Sequence, residues 1–492
     1  MTRKYMPTRH TALYIGAAAL ALGGCAITSD ATAQSTATQI TQAEARQGAE
    51  AHPQLLQEFG GAMSGPQAQY VEQVGKNIAV RSSLSNARDA FTVSLLNSSV
   101  NNAFAVPGGY IYTTRQLVGL MNNEAELAGV LGHEVGHVAA RHSQKRQSRS
   151  TRNGLLGVLG QVVGSVVGGG FGNLISQGSQ YATQFYTLKF SRSQENQADA
   201  LGVQYLRSAG YDPHAMGTVL QSLAAQNALE ASLQGRNANN VPEWASTHPD
   251  PAGRVRTVNN LAGNATGMLN RDTFLTRIDG LLYGDDPKQG VIEGNQFIHP
   301  DFRLTFTAPQ GFYLMNGTSA VSINGQSGQA QLKTGPYGGN LETYVRQAFA
   351  GLSQQQQIAP QNLQRTTING LPAVVGSTRV NSGNGQVDVV IAAYEFSNSQ
   401  AFHFVTIAQA GRSSVFSPMI NSMRRISANE AANVIPRVID VVTVGPRDTI
   451  QSLAARMAYS SAQEQRFRVL NGLTGNQGVV AGQKVKLVVR GR

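Results

Sequence analysis

Between about residues 40 and 283, apolar positions recur with helical spacing, in amphipathic runs near 41–58, 66–82, 115–121, 124–145, 192–208 and 213–228. One stretch breaks the pattern. Gly109-Tyr110-Ile111-Tyr112-Thr113 reads as a strand introduced by the turn pair Pro107-Gly108. From 290 to 426 the period drops to two, with candidate strands at 303–307, 311–315, 319–323, 363–368, 371–380, 386–396 and 401–409. Asn384-Gly385 supplies a hairpin turn, and Leu341, Tyr344, Val345, Phe349 and Leu352 mark one helix face. Residues 436–492 read as a strand at 438–444, helices at 449–457 and around 467–470, and a strand at 485–489. The expected fold is therefore multidomain: a mainly α domain over 40–283 with a small edge strand, an α+β domain over 290–426, and a βααβ module over 436–492.

A chain of 492 residues accommodates about three domains. With 41% hydrophobic and 14% charged residues, it is too apolar to be disordered as a whole. Its single cysteine, Cys25, excludes an internal disulfide framework and a cysteine metal cluster. Arg3, Lys4 and Arg9 precede a short apolar stretch at 11–22, the layout of an export signal. The sequence Leu22-Gly23-Gly24-Cys25 resembles the bacterial lipobox, which implies a signal peptide over 1–24, lipidation of Cys25 and a polar tether over 25–39. The alternative is an ordinary cut after Ala31-Thr32-Ala33; both routes end outside the cytoplasm. Ala26 after the cysteine points to the periplasmic face of the outer membrane, by resemblance to sorted lipoproteins.

The formal charge of +11 stays basic when the signal is removed. No basic stripe interleaved with aromatics is present, so nucleic acid is not an expected partner, whereas anionic lipid or cell-wall polymer is. The cluster Arg141, Lys145, Arg146, Arg149 and Arg152 reads as a solvated helix end.

His133-Glu134-Val135-Gly136-His137 is an HExxH motif inside a predicted helix, capped by Asn123 with Glu126 as reciprocal partner. At 3.6 residues per turn the two imidazoles stand about 40° apart and one turn along the axis, so both can reach one Zn²⁺ at about 2.0–2.1 Å. Glu134 beside them is placed to take a proton from the attacking water. A third ligand is required. Ser143 excludes the metzincin extension. A second segment, Ser191-Arg192-Ser193-Gln194-Glu195-Asn196-Gln197-Ala198-Asp199, carries Glu195 and Asp199 four residues apart on one face. Glu195 can ligate while Asp199 accepts the N–H of a ligand imidazole and holds its tautomer.

The stretches HEVGHVAARHS, SRSQENQAD, NAFAVPGG and THPDPAGR together resemble the gluzincin zinc metallopeptidase family of the CAAX prenyl endopeptidase. The likeness is to the family's soluble bacterial, periplasmic branch and covers roughly residues 40–265. The resemblance implies zinc held by His133, His137 and Glu195, with Glu134 catalytic, and it assigns functional positions to Asp199, His248 and Arg254. His248, in Thr247-His248-Pro249, is expected either at the open zinc position, making the resting enzyme latent, or at the oxyanion. The strand after NAFAVPGG is expected to be an edge that pairs with extended substrate.

The opening of the 290–426 region resembles PsbP-like domains, and GPRDTIQSLAARM, VLNGL and AGQKVKLV resemble the LysM module, which implies peptidoglycan as a candidate partner. Arg447 replaces the usual glycine of the LysM turn. Residues 154–172, with Gly160, Gly164, Gly168 and Gly172, read as a lid or membrane-touching flap, or alternatively as a buried glycine-rich helix. His142 falls on a different face of an extended helix from His137 and reads as structural; His52, His214, His299 and His403 read as incidental.

The expected function is periplasmic, lipid-anchored zinc endopeptidase activity on misfolded or stalled envelope proteins. Two rivals are a chaperone-like assembly factor with little proteolysis and a peptidoglycan-binding scaffold.

Overall fold

The computed structural model describes residues 39–145, 190–233, 248, 250–353, 357–381 and 385–491. The expected signal peptide, Cys25, nearly all of the tether, the glycine segment 154–172, and Arg146, Arg149, Arg152, Thr247, Pro249 and Asn384 lie outside the described residues.

In the first region, α1 (Gln42–Glu58) starts at a capping box in which the Thr41 side chain accepts from the Glu44 amide while Glu44 reaches back. Helix α2 (Pro66–Ala79) follows with proline in its first turn, a position where the missing N–H costs nothing. Three strands then form a mixed sheet in the order β1-β3-β2: β1 (Thr92–Leu96), β2 (Ala103–Val106) and β3 (Tyr110–Thr114). This corrects the expectation of one edge strand at 109–113. That strand is β3, and it is central, parallel to β1 and antiparallel to β2. The edge beyond it is β2, within the Asn102-to-Gly109 stretch itself. Four residues with a half-buried middle carry too little alternation to be read as a strand.

Helix α3 (Arg115–Leu120) leads into α4 (Glu124–Ala139), which carries the HExxH motif. All of α4 except Val138 is buried, so it is a core helix with no solvent face. Its N-terminus is capped as expected, the Asn123 side chain accepting from the Glu126 amide at 2.9 Å. The Glu126 carboxylate reaches the Asn122 N–H at 2.7 Å, one residue earlier than a standard box. The helix ends earlier than the expected 145: Arg141 adopts φ +52° and breaks it. Helices α5 (Arg192–Ser208), α6 (Ala215–Leu233), α7 (Pro251–Ala262) and α8 (Arg271–Ile278) complete this region. The last two were not among the expected helices.

The strand β4 (Leu282–Tyr283) is followed by a β-rich region. One antiparallel sheet contains β5 (Val291–Glu293), β6 (Gln296–His299) and β7 (Leu304–Thr307). A seven-stranded antiparallel sheet is built from β8 (Tyr313–Asn316), β9 (Val321–Gly325), β10 (Gly328–Thr334), β11 (Asn362–Ile368), β12 (Leu371–Asn381), β13 (Gln386–Ser397) and β14 (Gln400–Gln409). Helix α9 (Leu341–Ala350) lays Tyr344, Val345 and Phe349 on one face of it. Strands β5, β6 and β10 were missed because they are short or polar.

The C-terminal βααβ order is observed: β15 (Arg437–Thr443), α10 (Ile450–Ala454), α11 (Gln463–Leu470) and β16 (Lys484–Arg490). The two strands pair with each other, and β15 also pairs with β4. Ile439, Leu453, Phe467, Val485 and Leu487 belong to the same buried cluster as Ile78, Leu131 and Phe274. The C-terminal unit and the helical region therefore share one core. Among the described residues no helix is long and apolar enough to cross a membrane.

Candidate metal centre

Helices α4 and α5 bring the candidate ligands together because small residues let the backbones approach. A Cβ added to Gly136 would lie 3.1 Å from the Ala198 carbonyl oxygen, and one added to Gly202 would lie 3.2 Å from the His133 nitrogen. Across this contact His133 Nε2 and His137 Nε2 stand 3.0 Å apart. The Glu195 carboxylate faces both, Oε1 at 3.5 Å from His137 Nε2 and Oε2 at 3.6 Å from His133 Nε2. His248 closes the group. Its Nδ1 lies 3.3 Å from His133 Nε2 and 3.2 Å from Glu195 Oε1.

Four donor atoms of His133, His137, Glu195 and His248, all buried, lie within 4.8 Å of one another. Tetrahedral coordination at about 2.0–2.1 Å requires donors about 3.3–3.4 Å apart. Five of the six donor pairs lie 3.0–3.6 Å apart, around that edge length. Imidazole nitrogens and a carboxylate are also the ligand types such an ion takes, so the residues present fit a divalent metal.

The surroundings orient the donors. Asp199, fully buried, accepts from His133 Nδ1 at 2.9 Å, which leaves the His133 Nε2 lone pair facing the cluster. Arg254, from α7, holds Asp199 through Nε at 2.8 Å and Nη2 at 2.5 Å, and its Nη1 lies 2.5 Å from Glu195 Oε2. The structure thus places Asp199 and Arg254 against His133 and Glu195, as supports of the donors rather than as donors. Burial raises the Asp199 carboxyl, but hydrogen bonds from Arg254 and His133 outweigh it and leave it lowered. Glu195 is likewise lowered despite its burial, through His248 and His137. Burial drives His137 well below the ordinary histidine range, which keeps its lone pair free.

Glu134 points to the other side of the group. Burial raises its carboxyl above the ordinary range, against the pull of His248 and His133. Among the described residues its Oε1 accepts no hydrogen bond, and His248 Nε2 lies 3.4 Å away. A buried carboxyl raised toward neutrality beside the donor cluster is suited to moving a proton.

Residues 66–262 match the model of Peptidase family M48. A match of this type supports a metalloprotease and implies a divalent metal, with which the four-residue His/Glu group is compatible. The Beta-barrel assembly-enhancing protease of Yersinia pestis is 32% identical over 197 residues, 39% of this chain and 38% of that protein. Its counterpart in Shigella flexneri is 29% identical over 215 residues, 42% of each. The Mitochondrial metalloendopeptidase OMA1 of Schizosaccharomyces pombe is 28% identical over 220 residues, 44% of this chain and 60% of that protein. The chain thus spans less than half the length of the bacterial relatives it matches. The solution structure of cyanobacterial PsbP from Synechocystis aligns with 26% of this chain and 91% of its own at 12% identity, but its TM-score of 0.23 carries no fold argument.

Two neighbours of His137 were not assigned to the site from the sequence. His142 Nδ1 lies 2.9 Å from His137 Nδ1, although a continuous helix would carry it round to another face. The Phe190 ring also lies over His137, centroids 3.8 Å apart. His52 is occupied elsewhere, with Nδ1 2.8 Å from the Tyr112 hydroxyl. His214, His299 and His403 bond to Gly263, Phe302 and Tyr344, away from the donor cluster.

Proposed function

We propose that this chain is a zinc endopeptidase of the bacterial envelope, anchored through lipidated Cys25 on the periplasmic side of the outer membrane, that cleaves misfolded or stalled envelope proteins. One observation carries the peptidase reading: four buried donors within 4.8 Å of one another, with the Glu134 carboxylate beside them at 3.4 Å from His248 Nε2. The envelope and its misassembled proteins as substrates are supported by the resemblance to proteases named for beta-barrel assembly and by the export signal.

In this reading His133, His137 and Glu195 hold the ion. When bound, it supplies Lewis acidity toward a water and a substrate carbonyl. Glu134 takes the proton of the attacking water and delivers it to the leaving amine. Asp199 holds the His133 tautomer, and Arg254 holds Asp199 and Glu195 against rotation. His248 takes the fourth corner, so the resting site is closed. Substrate must displace the ring, after which His248 Nε2–H is available to an oxyanion. The short β2 strand, at the edge of its sheet among the described residues, is the proposed site for an extended peptide, which suits unfolded chains because backbone hydrogen bonds make few side-chain demands.

The LysM-like C-terminal unit is proposed as a peptidoglycan contact held rigidly against the peptidase, and the β-rich region as a PsbP-like accessory domain. The test of the central reading is metal analysis of the purified protein together with casein digestion by wild type and Glu134→Gln. One zinc per chain, with digestion by wild type alone, is the expected result. Equal digestion by both proteins overturns the assignment.

A further inference from the structure

The outer nitrogen of His133 is held by a carboxylate, but the outer nitrogen of His137 faces another imidazole. His137 Nδ1 lies 2.9 Å from His142 Nδ1, and His142 Nε2 lies 3.1 Å from Gln197 Oε1. His142 is 1% exposed, so water does not replace either contact. With a lone pair required on His137 Nε2, each nitrogen of these two neutral rings has one compatible proton assignment. His137 Nε2 belongs to the donor cluster and needs its lone pair, so the His137 proton sits on Nδ1. His142 Nδ1 must accept it, which places the His142 proton on Nε2. Gln197 Oε1 then accepts that proton, completing a chain of donors that all point outward from the metal centre.

We propose that His142 is the positioning residue for His137: a neutral imidazole relay, oriented by Gln197, that fixes the tautomer and ring plane of the second metal-ligand histidine. This rests on the metallopeptidase reading and adds to it an orienting partner for His137. The backbone explains how a residue five positions after a ligand returns to it. Arg141, at φ +52°, ends the helix after α4 and turns the chain back. Its guanidinium is tied down, Nε donating to Glu44 Oε1 at 2.9 Å and Nη2 to Glu44 Oε2 at 3.3 Å. From the other side Gln194 Nε2 donates to the His142 carbonyl at 3.3 Å. Helix α5 therefore supplies a metal ligand in Glu195, the orienter of His133 in Asp199, and both the backbone clamp and the relay end for His142.

Carboxylate or carbonyl partners usually hold the outer N–H of metal-bound histidines, and removing them typically lowers metal affinity about 10- to 100-fold. The same is expected here of the full-length protein with His142→Leu, measured by zinc competition against a chromophoric chelator. His142→Asn presents Oδ1 where Nδ1 stood, accepts the His137 proton, and is expected to hold zinc within about threefold of wild type. Cobalt(II) spectra are expected to change in the leucine variant and return to the wild-type form in the asparagine variant. Equal zinc affinity of wild type and folded His142→Leu overturns the proposal, as does an asparagine variant no better than leucine. A second measurement does not depend on any variant folding: imidazole ¹⁵N spectra of zinc-loaded wild type are expected to show His142 protonated on Nε2 and bare on Nδ1. A proton on His142 Nδ1 overturns the relay. Wild type that binds no zinc overturns the metallopeptidase reading itself and the relay with it, a result distinct from unchanged affinity in the leucine variant.

Discussion

Lys486 Nζ lies 2.5 Å from the carbonyl oxygen of Met121, and 2.8 and 3.0 Å from those of Gly119 and Leu120. A lysine of the C-terminal strand thus caps the carbonyl end of α3, just ahead of the residue that caps α4, the HExxH helix. Burial pulls this ammonium down from the ordinary lysine range, and the Glu126 carboxylate opposes that pull. The cation satisfies carbonyls that a helix end otherwise leaves unpaired, and it favours the helix dipole.

The shared core and this buried cation make the C-terminal unit part of the peptidase fold. Lys486→Met is expected to cost about 3 kcal/mol, because it removes three buried hydrogen bonds to the Gly119, Leu120 and Met121 carbonyls. Urea unfolding of the variant checks this. A chain ending near residue 430 is expected to lose the cooperative transition of the helical region, since it would expose the side chains now packed on Leu453, Phe467 and Leu487.

Replacing His248 opens the fourth corner of the donor tetrahedron. His248→Ala is expected to retain one zinc, change the cobalt(II) spectrum, and cleave a short peptide faster than wild type if ring displacement limits turnover. Unchanged spectra and unchanged activity would dispose of the latent state.

Metal removal is expected to destabilise the fold, because the four donors are buried and turned toward one another. An ion present at a thousand times its dissociation constant stabilises by about 4 kcal/mol. Calorimetry with and without chelator reads the corresponding drop in melting temperature. A melting temperature indifferent to chelator and added zinc contradicts the centre.

Acid is expected to weaken the β-rich region through His403, which is 7% exposed and held down to about 4 by burial, with Lys333 adding to the effect. In the unfolded chain this ring takes a proton near 6.5. As the pH falls from about 6.5 to 4 the unfolded state binds the extra proton, so stability is lost at up to roughly 1.4 kcal/mol per pH unit. The contribution is fully present above 6.5. His403→Gln can still meet the Tyr344 hydroxyl and is expected to flatten that part of the stability profile, followed by denaturation at several pH values.

The separation between legible and illegible features follows the range of the forces involved. Capping of α4 by Asn123 and the i, i+4 pairing of Glu195 with Asp199 are local, and both were readable from spacing. The relay through His142 was not, because it depends on a left-handed Arg141 held by Glu44 from the other end of the chain segment. The edge strand was misassigned for a related reason: β3 looks solitary until β1 and β2, each short, are laid against it.

By itself, then, the sequence determined the order of helical and β-rich regions, the HExxH helix and the carboxylate helix that complements it, because periodicity and caps act within a few residues. Only the tertiary structure decided that His248 stands among the donors, that His142 faces His137, and that Lys486 joins the C-terminal strand to the end of α3. Those contacts join residues far apart in sequence or across a broken helix, where close packing of backbones and the need to pair every buried charge select the partners.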